Sequence, residues 1–401
     1  MNPSPENPQN LVDDIPPIND CRVLIIDDSH LTCKLIRTRL EVEGINHIEV
    51  AYDGREGLTK LKTFEPDLLI LDIQMPELDG REVLRLIRSK PKYDDLPVII
   101  ESALDGVADR EELVEMGATN IITKPINHNL LAMRVRIHLE HKLLIKNLRG
   151  FRKRLSKELD MARRMQADLL PSQLHLDQLA KKHGLLIESY YRPSSELGGD
   201  FWTIHSLDDD QIAFLMIDFA GHGISASINT FRLSMILNDI SPLGKTPAQF
   251  MERLNIELCR VLGPSEFATA FFGILNTAEQ SLDYAAAGSP PLIVTHPKTQ
   301  SISIADSRGV PLGINPAADY ELRHIDLSEG SNLVFYSDAF PEASCTDGEN
   351  LGTEGVTDLI RSGFTDPAST NKISSFLERF TDQIADQPDD DMTLIWLQCQ
   401  L

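Results

Sequence analysis

DLLILDIQMPELDG, residues 67–80, runs four apolar residues into an aspartate, Asp72, and then breaks into a turn marked by Pro76 and Gly80. The same cadence recurs on either side of it. RVLIIDDS (22–29) ends on the acidic pair Asp27-Asp28, IEVAY (48–52) follows, and LPVIIES (96–102) and NIITKP (120–125) end on Ser102 and Lys124. Stretches of helical length separate these runs. Short, fully apolar strands alternating with helices predict a parallel sheet covered on both faces. Chemistry in such a sheet gathers outside the carboxyl ends of the strands. Asp27, Asp28, Asp72, Ser102 and Lys124 all fall there. Three clustered carboxylates repel one another unless a divalent cation lies between them, and an oxygen-only site suits Mg²⁺. Asp72 is then placed to accept a phosphoryl group, with the cation and Lys124 offsetting its charge.

Any one of these acidic residues, taken alone, reads as a helix cap. In order, IIDDS, LDIQMPELDG, the serine of VIIESA and TKP resemble the receiver domain of bacterial response regulators over residues 21–130. The resemblance implies a flavodoxin-like, five-stranded α/β fold with Asp72 as phosphoacceptor. It implies Mg²⁺ held by Asp27, Asp28, Asp72 and the carbonyl of Gln74, with Ser102 and Lys124 as switch residues and a sensor histidine kinase as partner. Ile121 stands where such domains carry an aromatic switch residue.

Residues 1–20 hold five prolines and little to bury, and read as a disordered tail. Residues 131–172 read as a helical linker. Ile137, His141, Leu144, Leu148, Phe151, Leu155, Glu158, Ala162, Met165 and Leu169 form a mostly apolar heptad seam. Such a seam predicts a coiled coil and a homodimer; a long helix packed on its own domains is the alternative. The basic residues on the other faces read as solvated positions.

From residue 173 a second domain begins, with many strand-like runs and helices in blocks, which predicts an α+β layered fold. Four aspartates stand out in it. Asp200 follows two glycines in LGGDFW (197–202), Asp218 ends an apolar run in MIDFAGHGISAS (216–227), and Asp338 lies in LVFYSDAFPEA (333–343). Asp390 lies in DDDMTLIWL (389–397). Delivered to one place, they would form an oxygen-only site for two hard cations that activate a water for attack on phosphorus. Together with ARRMQADLLP (162–171), AAAGSPPLIV (285–294) and GVPLG (309–313), they resemble the metal-dependent phosphatases of the protein phosphatase 2C superfamily, SpoIIE/RsbU type.

That resemblance implies a protein-serine/threonine phosphatase with two Mg²⁺ or Mn²⁺. Asp200 would bridge both ions, Asp218 and the Phe219 carbonyl would hold one, and Asp338 and Asp390 the other. Asp389 and Asp391 are the competing choices for the last ligand. It further implies a phosphorylated STAS-domain anti-sigma antagonist as substrate. Thr203 and Ala339 depart from the family pattern. His222 reads as a packing residue of its turn, and Arg192 as equally a structural or a phosphate-facing residue. The alternative function is a non-catalytic adaptor that binds its partner through a phosphatase-like domain.

The 401 residues match two to three domains at about 150 residues each. A net charge of −23 argues against nucleic acid as a partner. Five dispersed cysteines read as reduced thiols, and no run is apolar enough for a membrane span, so a cytoplasmic protein is expected.

Overall fold

The computed structural model describes residues 18–400 apart from 104–106, 196, 222, 297–298, 300, 347 and 365–370. Most of the expected tail, and His222, lie outside the described residues. The tail's last three residues, Ile18–Asp20, form one 3₁₀ turn, with Ile18 against the receiver core. The chain divides into two compact units, Met1–Leu155 and Ser156–Leu401.

The first unit holds β1 (Arg22–Ile26), β2 (His47–Ala51), β3 (Leu68–Asp72), β4 (Val98–Ser102) and β5 (Asn120–Thr123). They form one parallel sheet in the order β2-β1-β3-β4-β5. Alternate residues of each strand feed two cores. Val23, Ile25, Ile70 and Ile99 face one helical layer, and Leu24, Ile26, Leu71 and Ile100 face the other. Three helices, α1 (His30–Val42), α2 (Gly54–Phe64) and α3 (Gly80–Arg88), start on side-chain caps from Ser29, Asp53 and Asp79. Each cap accepts a backbone N–H that the first turn leaves orphaned. α4 (Val107–Glu115) precedes β5.

α5 is a single 40-residue helix, His128–Ala167. It begins before the expected linker and ends before it. Leu131, Ala132, Val135, Leu139 and Leu143 are buried in the receiver core, so its first turns complete the receiver rather than follow it. A second stripe on the same helix carries the heptad seam. Ile137, Leu144, Leu148, Phe151, Leu155 and Met165 are exposed, Leu148 by 66%. The sequence pattern showed the second stripe and hid the first because both repeat every three to four residues.

In the second unit α6 (Gln173–His183) leads into two antiparallel five-stranded sheets. One runs β13 (Arg323–Asp326), β10 (Ser281–Ala287), β9 (Ala268–Asn276), β8 (Gln211–Phe219), β7 (Asp200–Ser206). The other runs β12 (Ser301–Ile304), β11 (Ile293–His296), β14 (Asn332–Tyr336), β15 (Met392–Cys399), β6 (Leu185–Arg192). The inner faces meet in one core that includes Trp202, Phe214, Phe271, Phe335 and Ile395. α7 (Ile224–Asp239) and α8 (Pro247–Val261) cover the first sheet. α9 (Gly352–Phe364) and α10 (Lys372–Gln383) cover the second. The result is a four-layered helix–sheet–sheet–helix sandwich, the layered α+β architecture expected.

Candidate functional sites

In the receiver unit, Asp27 follows β1 and Asp72 closes β3, and both are buried. Asp27, Asp28 and Asp72 each offer a carboxylate oxygen within 4.8 Å of the other two. Lys124 Nζ lies 2.6 Å from Asp72 Oδ2 and 3.6 Å from Asp27 Oδ2. The Ser29 N–H donates to Asp27 Oδ1 at 2.7 Å and the Gln74 N–H to Asp72 Oδ1 at 3.3 Å. The turn after β3 therefore wraps the Asp72 carboxylate from below. Burial raises the Asp72 pKa, and Lys124 pulls it back. Burial alone would lower Lys124, but Asp72, Asp27 and Glu101 turn its net shift upward. Ser102 ends β4, buried, and its carbonyl accepts the Lys124 N–H at 2.8 Å. The structure thus brings Asp27, Asp28, Asp72 and Lys124 together, with Ser102 reaching the group through its carbonyl and Gln74 through its N–H. Asp27 Oδ2 accepts no hydrogen bond, which suits a cation ligand. Three carboxylates against one lysine leave a net negative oxygen site of the kind Mg²⁺ takes.

Glu101, one residue before Ser102, was not legible as a site residue. It is fully buried, and burial and then Asp27 push its pKa up to about 8. Its only signal in the sequence is a charged residue inside an apolar strand. Ile121 is half-buried, and its carbonyl accepts from Arg134 Nη1 of α5 at 2.8 Å.

In the second unit, β7 opens on Asp200 and pairs with β8 so that Asp200 lies directly opposite Asp218. Gly199 stands where a Cβ would come within 3.0 Å of the Phe219 carbonyl oxygen, so a glycine lets the Asp200 segment close onto that carbonyl. Asp338 follows β14 and Asp390 precedes β15. The aspartates form one electrostatic group. Burial first, then Asp218, holds Asp200 well above the carboxylate range. Burial, Asp338, Asp390 and Asp391 push Asp218 to about 8, and burial, Asp390 and Glu342 push Asp338 to about 6. Among the described residues no triplet of them closes to the 4.8 Å spacing of the receiver cluster.

Asp390 is exposed and Asp391 is buried. The Asp391 carboxylate is occupied by backbone N–H groups, including that of Ser194 at 2.7 Å, while Asp389 and Asp390 are both exposed. Thr393 Oγ1 donates to Asp200 Oδ2 at 2.5 Å, and Ser337 Oγ donates to the Asp391 carbonyl at 2.7 Å. Gln166, in the last turn of α5, is buried. Its Nε2 donates to the Gly198 carbonyl at 2.6 Å and to Thr230 Oγ1 at 3.0 Å, while its Oε1 accepts the Gly198 N–H at 3.1 Å. Gln166 thus clamps both faces of a residue two before Asp200. Gln166, Asp391 and Thr393 carry no sequence signal beyond membership of a quoted motif. Arg192 donates to Gln387 at 2.5 Å, and Thr203 bonds the His205 ring at 2.7 Å.

These shifts predict a pH dependence. A carboxyl whose folded pKa is raised stabilises the fold below its unfolded value, 3.8, and that contribution is lost as pH rises through the folded value. For Asp338 the loss runs from 3.8 to about 6, and for Asp218 from 3.8 on to about 8. The melting temperature of the chain without divalent ions is expected to fall from pH 5 to pH 8, and Mn²⁺ is expected to restore it most at the alkaline end. Differential scanning fluorimetry across that range checks it; an equal Mn²⁺ effect at both ends would contradict the carboxylate grouping.

Residues 23–136 match the response regulator receiver domain family, and residues 208–400 match the family described as Stage II sporulation protein E. The phosphoserine phosphatase RsbP of Bacillus subtilis is 29% identical over 202 residues, covering 49% of this chain and 48% of that protein. The response regulator PleD of Caulobacter vibrioides is 36% identical over 128 residues, 32% of this chain and 28% of that protein. The chain spans about half or less of the length of these curated relatives. The SiaA-PP2C domain of Pseudomonas aeruginosa matches in structure with a TM-score of 0.54 at 20% identity, over 62% of this chain and 98% of that one, and so shares the fold. Among the described residues no helix is long and apolar enough to cross a membrane.

Proposed function

From a chain that carries a response regulator receiver domain and a SpoIIE-type PP2C phosphatase domain, we propose a cytoplasmic two-component regulator whose output is metal-dependent hydrolysis of a phosphoserine or phosphothreonine monoester on a protein. The observation that carries it is the grouping of Asp200, Asp218, Asp338 and Asp390, with Asp200 paired opposite Asp218 across β7 and β8 and with Asp338 and Asp390 close enough to raise the pKa of Asp218. Carboxylates so arranged are stabilised by cations. Asp200 would bridge two Mg²⁺ or Mn²⁺ ions, Asp218 and the Phe219 carbonyl would hold one, and Asp338 and Asp390 the other. Such ions supply an activated water and neutralise phosphate charge. Thr393 fixes one Asp200 oxygen, and Gly199 admits the Phe219 carbonyl to the same side. In the receiver, Asp72 takes the phosphoryl group from a sensor histidine kinase, with Asp27, Asp28, Asp72 and the Gln74 carbonyl toward Mg²⁺ and Lys124 against the new charge.

The substrate favoured is a phosphorylated STAS-domain anti-sigma antagonist, as the resemblance to the SpoIIE/RsbU type implies, and the likeness to the phosphoserine phosphatase RsbP supports phosphoserine as the ester. The test is phosphate release from a phosphoserine STAS protein with Mn²⁺, with Mg²⁺ and with EDTA. Binding without release would favour the adaptor.

The receiver is proposed to act through α5. Its exposed seam would gain about 1.5–3 kcal/mol for each large apolar side chain fully buried, which favours pairing with a second copy as a parallel coiled coil. Leu148→Glu with Leu155→Glu is expected to convert a dimer to a monomer in analytical ultracentrifugation and to uncouple turnover from receiver phosphorylation. A parent that is monomeric with and without a phosphodonor, yet responds to it, would rule the seam out.

A further inference from the structure

We infer that Asp391 is the positioning residue that assembles the phosphatase cation site, a part no metal ligand plays; the activity arm of its test rests on the phosphatase reading above. DDDM (389–392) places two neighbouring aspartates on opposite sides of the chain as β15 begins: Asp390 is exposed and Asp391 is 3% exposed. The buried one is bonded to three of the segments that deliver the proposed ligands, those of Asp200, Asp338 and Asp390. Its Oδ1 accepts the Ser194 N–H at 2.7 Å. Its Oδ2 accepts the N–H of Gly199, and that of Asp200 at 3.4 Å. Its own N–H donates to Asp390 Oδ1 at 2.8 Å, and its carbonyl accepts Ser337 Oγ, beside Asp338, at 2.7 Å. One residue of the second sheet therefore pins the strand start of the first sheet, which carries Asp200, while its main chain orients the two flanking ligands.

The contact is tight enough to exclude any side chain on the loop. A Cβ on Gly198 would lie 2.6 Å from Asp391 Oδ2 and 2.3 Å from Tyr191 Oη. An ionised carboxylate suits this place because it accepts on both oxygens. An amide of the same shape must turn its NH₂ toward one set of backbone donors, so Asp391→Asn breaks one side of the clamp without changing volume. Groups that orient metal ligands typically affect metal affinity about 10–100-fold when removed.

The test uses the full chain, with Mn²⁺ as probe. Binding is followed by electron paramagnetic resonance and by the Mn²⁺-induced rise in melting temperature, and turnover by phosphate release from a phosphoserine peptide. Asp391→Asn is expected to keep the circular dichroism of the metal-free parent and to need about 10–100 times more Mn²⁺ for half-saturation. Its turnover should fall at limiting Mn²⁺ and recover in part as Mn²⁺ is raised. Gly198→Ala approaches the same contact from the loop side and should give the same shift; it decides the matter if Asp391→Asn does not fold. Unchanged Mn²⁺ affinity in a folded variant overturns the inference, as does unfolding of both variants without metal, which would make Asp391 a folding determinant. If the parent binds Mn²⁺ in an Asp391-dependent way but releases no phosphate, the phosphatase reading fails and the positioning role stands.

Discussion

The Asp200→Ala protein is expected to lose turnover by about three orders of magnitude or more while keeping its fold. The loss follows from where the side chain lies. Asp200 opens an edge strand opposite Asp218 and is the carboxylate on which burial and three other aspartates bear together. On the proposed assignment, a methyl group there would leave the two cations without a shared ligand. Cation stabilisation of phosphoryl chemistry is worth several kcal/mol, and about 1.36 kcal/mol is a factor of ten in rate. Folding points the other way. Removing a buried carboxylate from a cluster of like charges relieves repulsion, so the metal-free variant should melt no lower than the metal-free parent. It also frees Thr393 Oγ1, a small cost beside that relief. Steady-state phosphate release and a melting curve in EDTA read the two halves separately. Undiminished turnover would remove the catalytic claim and leave the adaptor.

Asp72→Asn is expected to abolish phosphoryl labelling of the receiver, by kinase or by a small phosphodonor, with Mg²⁺ present. An amide oxygen is a poor nucleophile toward phosphorus, and it ends the charge pairing with Lys124 at 2.6 Å. The remaining carboxylates, Asp27 and Asp28, still offer oxygens to a cation, so Mg²⁺ binding should weaken rather than vanish. Labelling of the variant equal to that of the parent, on acid-labile, base-labile bonds, would move the phosphoacceptor elsewhere and undo the receiver reading. If labelling is lost and phosphatase output no longer responds to the donor, control runs through Asp72.

Strand ends were legible because they obey a local rule. RVLIIDD, DLLILD and NIITK each finish an apolar run on a polar residue, and a parallel sheet carries those ends to one edge. The four phosphatase aspartates were legible for a similar reason, since each abuts glycine or an apolar strand. Residues that act through long-range contacts left no such trace. Gln166 lies 32 residues from Gly198, and Asp391 lies 192 from Gly199. Nothing local separates Gln166 from a solvated helix position or Asp391 from its acidic neighbours; only the pairing of β15 with its sheet turns one aspartate inward. The start of α5 was misjudged on the same ground. Leu131, Val135 and Leu139 have helical spacing whether they pack on a receiver or on a second helix, and periodicity cannot name the partner.

α5 carries a seam residue, Leu155, and the clamp residue Gln166 on one uninterrupted rod. Because each residue turns an α-helix by about 100°, the step of eleven residues from one to the other amounts to a fixed angular phase as well as a length. Gln166 reaches Gly198 only if the rod presents it at the right rotation. Chain inserted between them in steps of about seven or eleven residues nearly preserves that rotation, whereas three or five spoils it. An insertion of any other length would turn the seam that includes Leu155 to a different side of the helix from Gln166.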